Sequence, residues 1–98
     1  MREKVIAKVK TLMNGRQIDD FTKKEFYQEI GEPIMHFIEQ EVAQTYPDLK
    51  SYDGGPRYKL EGEIAMEVRN YLNYHCNKSN RMWVKYNDWT LSLKENID

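Results

Sequence analysis

Cysteine is all but missing from this chain. Cys76 stands alone, so no intramolecular disulfide can form, and the expectation is a reducing, cytoplasmic setting. No apolar run is long enough for a membrane helix, and the N-terminus carries no signal-peptide pattern. Soft metal ligands are equally scarce. His36, His75 and Cys76 are the whole set, and no two have the spacing of a structural zinc site. No metal and no cofactor is expected. A Gly-rich phosphate loop is also lacking, because Gly54-Gly55 is read without the helix and lysine that such loops use. Cys76 beside His75 has no context for nucleophilic catalysis and reads as a small buried thiol. Glu61, Glu63 and Glu67 read as a solvated helix face. With no catalytic residues to name, the chain is expected not to be an enzyme.

One absence is local. Between Glu25 and Leu49 there is no Lys or Arg, while Glu25, Glu29, Glu32, Glu39, Glu41 and Asp48 lie there. The formal net charge of −1 conceals this segregation: residues 1–24 sum to +4, 25–63 to −6 and 64–98 to +1. An acidic segment beside a basic one suits a partner of mixed charge.

What is present is enough for one folded domain over residues 1–98. The hydrophobic fraction is 40%, too high for a disordered chain of this length. The fold class is α+β, mostly α. Four helices or so are expected, plus a C-terminal β-hairpin. Val5, Ile6, Val9, Leu12 and Met13 recur at helical spacing, and Asn14-Gly15 stops that helix. Thr22-Lys23-Lys24-Glu25 is a capping box that starts a second helix, expected to stop at Gly31. Pro33 begins a third, with Ile34, Phe37, Ile38 and Val42 as its apolar stripe. Asp53-Gly54-Gly55-Pro56 is a turn, and residues 50–60 read equally as a short second hairpin or as an irregular loop. A fourth helix carries Ile64, Val68, Tyr71, Leu72 and His75 on one face. Met82, Val84 and Tyr86, then Trp89, Leu91 and Leu93, alternate with polar or outward residues around Asn87-Asp88, which is the hairpin pattern.

The stretch from Phe21 to Gly31 resembles the first half of a helix-turn-helix. Phe26 and Ile30 sit at its buried positions, Gly31 at its turn glycine, and Phe37 at a core position of the second helix. With a hairpin around Asp53-Gly54-Gly55 as a wing, residues 20–76 resemble small winged-helix proteins of the excisionase and MerR type. That resemblance implies a DNA-binding regulator or recombination accessory factor, with Lys50, Arg57 and Lys59 on the backbone and Lys23 and Lys24 flanking. The helix that would enter the groove carries Glu39 and Glu41 instead of a base-reading Arg or Lys.

The residues themselves point first to another function, a small binding protein that occupies a macromolecular partner. It would be an inhibitor or adaptor of the kind phages and mobile elements encode. Glu32, Glu39, Glu41 and Asp48 would face a basic protein site, one that itself handles nucleic acid being an example. Tyr46, Tyr52, Tyr58, Trp83 and Trp89 are the candidate anchors. A homodimer stays open. Lys78, Arg81, Trp83, Lys85 and Tyr86 form a second cluster, readable as a stacking surface for single-stranded bases or as an ordinary amphipathic hairpin.

Overall fold

Three helical rods and one short hairpin enclose a single core. The computed structural model describes residues 1–50, 52, 54–85 and 88–93. Helix α1 spans Arg2–Met13 and buries Val5, Val9 and Met13, one residue per turn. It ends where Asn14 turns left-handed, at φ 51 and ψ 45, as its sequence predicts. A short 3₁₀ turn over Ile18–Asp20 then leads to α2, Lys23–Phe26.

The capping box at the start of α2 is formed as expected. The Thr22 hydroxyl accepts from Glu25 N at 3.1 Å, and Glu25 Oε1 accepts from Thr22 N at 2.8 Å. These bonds from Thr22 hold the Glu25 carboxyl below the usual range. Phe21, just before the cap, packs edge-on against Phe26 with ring centres 5.7 Å apart, a hydrophobic staple that fixes the entry angle.

The second helix does not stop at Gly31. It passes through a π-helical turn, Tyr27–Gly31, straight into α3, Glu32–Thr45, and the backbone stays right-handed across both joints. Glu32 N reaches back five residues to Tyr27 O. Pro33 explains the widening: it has no N–H to donate, and its ring crowds the carbonyl one turn earlier. Gly31 has φ −60 and ψ −55, so it is glycine for a reason other than turning the chain. An added Cβ would lie 2.7 Å from Trp89 Cβ. The hairpin therefore rests directly on this backbone.

A second hairpin near 50–60 is not formed. Helix α4 spans Pro56–His75, so Arg57, Tyr58, Lys59 and Leu60 are helical, and a helix does follow Gly54-Gly55. Pro56 is the first helical residue, where its fixed φ helps and its missing N–H costs nothing, and Gly55 precedes it in extended geometry. The turn signal was therefore a helix start. Phe26, Ile30, Gly31 and Phe37, at the positions of the helix-turn-helix resemblance, thus lie on one continuous helix, and α4 occupies the place expected for a wing. Ser51 and Asp53 lie outside the described residues.

Strands β1, Met82–Val84, and β2, Leu91–Leu93, pair antiparallel with Val84 opposite Leu91 and Met82 opposite Leu93. Tyr86 and Asn87, expected in this hairpin, lie outside the described residues. Val84 and Leu91 turn inward, and Leu93 is exposed. Two asparagines on and just beyond α4 close the outer edge of β1. Asn73 Oδ1 accepts from Val84 N at 2.8 Å, and Asn73 Nδ2 donates to Val84 O at 3.2 Å. One turn on, Asn77 Nδ2 donates to Met82 O at 2.8 Å. The side chains take the place of a neighbouring strand, and Asn73 is buried with the backbone groups it satisfies.

The core is the sum of these faces. Ile34, Ile38 and Val42 of α3 meet Ile64, Val68 and Leu72 of α4 and the inner face of α1, with Trp89 and Leu91 closing the hairpin side. Among the described residues, no helix is long and apolar enough to cross a membrane.

Candidate protein-binding surface

Every arginine in the chain is committed to the molecule itself. Arg2 pairs with Glu67 at 2.6 Å, with Glu63 at 3.9 Å. Arg16 caps the C-terminus of α1: its Nε donates to Met13 O and its Nη2 to Leu12 O. The same guanidinium pairs with Glu29 at 3.2 Å and lies 4.4 Å above the Phe21 ring. Arg57 donates to Pro47 O at 3.4 Å. Arg69 is buried with its guanidinium 5.3 Å from the centre of the Trp89 ring. Arg81 pairs with Asp19, whose carboxyl is held low first by the Ser79 hydroxyl and then by Arg81.

The carboxylates of the cation-free segment divide in two. Glu25 serves the cap and Glu29 pairs with Arg16, so both are structural. Glu32, Glu39 and Asp48 are exposed and Glu41 is half-buried. Among the described residues, Glu32, Glu41 and Asp48 have no ion pair, and Glu39 has only His36 at 3.9 Å, a contact charged when His36 is protonated. Helix α4 adds a carboxylate that sequence reasoning set aside as solvated. The Glu61 carboxyl is pushed up by burial and then by the charge of Glu39, with Arg57 opposing. Glu39 and Glu61 therefore share one field where α3 meets α4. The signal for this was the early start of α4 at Pro56, which sets the register of Glu61.

Three of the five candidate aromatic anchors gather where α3 hands over to α4. Tyr46 follows α3 directly, Tyr52 lies in the connection, and Tyr58 is in the first turn of α4; they are 44%, 59% and 59% exposed. Leu49 N donates to Tyr46 O at 3.1 Å, and Gly55 N donates to Tyr52 O at 2.8 Å. The Tyr52 ring covers Gly55 closely enough that a Cβ there would lie 3.1 Å from it. Large exposed aromatics grouped at one end of the helix pair offer contact area to a partner.

The two tryptophans behave differently from those tyrosines. Trp89 is not an anchor: it is 2% exposed and belongs to the core, because Gly31 leaves it room and Arg69 covers its face. Trp83 is half-buried, edge-on to the exposed Tyr74 ring at 6.1 Å. The basic residues of the DNA reading do not come together. Lys23 and Lys24 open the continuous helix. Lys50, Arg57 and Lys59 lie past its other end, where Arg57 N contacts Lys50 O. The continuous helix that separates them, Lys23–Thr45, is about 34 Å long.

One concavity is a cleft of about 260 Å³ lined by Lys10, Met13, Arg16, Tyr71, His75 and Cys76 among others. Burial pushes the Cys76 thiol up, against a smaller opposing effect of the Tyr71 hydroxyl, so it stays protonated at neutral pH. Among the described residues, no three of His, Cys, Asp and Glu converge as metal ligands. No protein-family model matches the chain, and no curated protein or solved structure matches it either.

Proposed function

We propose that this is a non-enzymatic binding protein of the cytoplasm that occupies a basic site on another protein, as an inhibitor or adaptor. Glu32, Glu39, Glu41 and Asp48 supply the charge, and Tyr46, Tyr52 and Tyr58 supply the contact area. One observation carries the reading: the arginines are turned to internal partners while Glu32 and Glu39 of α3 are left to solvent. Arginine is the side chain best suited to grip phosphate and read guanine, so its internal use weakens the duplex-DNA alternative. Exposed carboxylates set the encounter rate and exclude wrong partners, and a few desolvated aromatics supply most of the binding energy.

The test is affinity capture from the native host, with wild type run against two variants. Glu32→Lys with Glu39→Lys reverses the field, and Tyr52→Ala with Tyr58→Ala removes the anchors. All four positions are exposed, so stability should move by no more than about 0.5 kcal/mol per site. The expected result is a basic protein captured by wild type and lost, roughly tenfold or more, by both variants. A captured partner that tolerates both changes would place the binding surface elsewhere.

A further inference from the structure

We propose a second docking surface, for single-stranded nucleic acid, on the solvent face of the C-terminal hairpin. It is independent of the acidic face, which lies on other elements and has the opposite sign.

The argument begins with alternation. Val84 is buried and Met82 packs against the core, so Arg81, Trp83 and Lys85 lie on the opposite face of β1 and its extensions. A cation, an aromatic ring and a cation thus share one side of a strand. Tyr74 of α4 extends this surface; it is 73% exposed, and its ring stands at 85° to that of Trp83. Lys78 lies in the turn that leads to β1 and is exposed, as is Lys85. Among the described residues neither lysine has an ion-pair partner. Among the described residues two acids lie near this face. Asp19 pairs with Arg81, whose side chain is still 74% exposed, and Asp88 is held by the hydroxyl and N–H of Thr90. Those bonds, and then the charge of Lys85, hold the Asp88 carboxyl low.

The strand is also rigidly presented. Asn77 holds the carbonyl of Met82, and Asn73 holds both backbone groups of Val84. Trp83 lies between these two fixed residues. Trp83 on a held strand, with Lys85 two residues along the same face and the exposed Tyr74 ring edge-on beside it, fits an unpaired base on an aromatic face and a phosphate on the lysine. A duplex keeps its bases stacked inside and offers this face only phosphates, so the commitment is to a single strand.

The test is fluorescence anisotropy with a fluorescein-labelled oligo-dT of about 12 nucleotides, added to the full chain at low and moderate salt. Wild type is expected to bind at low salt. Tyr74→Ala, an exposed position, should weaken binding roughly 5- to 100-fold while circular dichroism is unchanged. Lys85→Ala should lower the slope of log K against log salt by about 0.7. Absence of binding at low salt would overturn the proposal. So would binding indifferent to Tyr74→Ala, which would be ionic only. Displacement by polyglutamate at equal charge concentration would also overturn it, by making this face a site for acidic peptides.

Discussion

Gly31→Ala is expected to lower the unfolding free energy by about 1–3 kcal/mol. The sign is what makes this informative. Gly31 has ordinary right-handed helical angles, and alanine at such a position normally stabilises a helix by about 1 kcal/mol. Here the new Cβ would meet Trp89 Cβ at 2.7 Å and Trp89 Cγ at 3.2 Å, and neither atom is the free end of a flexible chain. Trp89 is itself boxed in: its backbone is left-handed at φ 59, and Arg69 lies over its ring. The hairpin must lift or the helix must bend. Urea unfolding followed by tryptophan fluorescence reads the change directly. A stabilised variant would mean that the hairpin does not sit on the helix as described.

Asn73→Ala carries the other large effect, a loss of about 2–5 kcal/mol. Asn73 satisfies the N–H and the C=O of Val84 together, and the side chain and Val84 are both buried. Truncation leaves two backbone groups without partners where water has little access. Asn73→Asp separates shape from hydrogen bonding. Its carboxylate still accepts from Val84 N but faces Val84 O with no proton to donate. Burial and that carbonyl raise its folded pKa, so the variant regains stability as pH falls through that value and loses it as pH rises. Hydrogen exchange at Val84 N should be slow in wild type and fast in Asn73→Ala, while Asn73→Asp, which keeps the acceptor, should retain part of the protection. Slow exchange in Asn73→Ala would mean that another group closes this edge.

The local signals in the sequence were read correctly where one interaction decided the outcome. The Thr22–Glu25 cap, the Asn14-Gly15 stop and the antiparallel pairing of Met82–Val84 with Leu91–Leu93 depend on neighbours close in the chain, and each is formed. The errors arose where a residue served a distant partner. Gly31 looked like punctuation because a glycine two residues ahead of a proline commonly ends a helix. Its role is to admit Trp89, fifty-eight positions along the chain, and no local pattern encodes that. Trp89 looked like an anchor for the same reason. Gly54-Gly55-Pro56 looked like the turn of a hairpin, but such a signal opens a strand or a helix with equal ease, and the choice belonged to the apolar face of α4. Of the candidate site, the charge segregation was legible, since an unbroken acidic run must lie somewhere on the surface. The internal use of the arginines was not, because the ion pairs of Arg2, Arg16 and Arg81 join residues 13 to 65 positions apart.

The central claim is that the outward carboxylates of α3 repel phosphate and select a basic protein surface. Titration of random-sequence duplex DNA against wild type and against Glu32→Lys with Glu39→Lys, at low and at moderate salt, tests it most directly. The account predicts no complex with wild type even at low salt, and a salt-sensitive gain of binding when the two charges are reversed. A wild-type duplex complex that weakens steeply with salt, and that the reversal leaves unchanged, would contradict it.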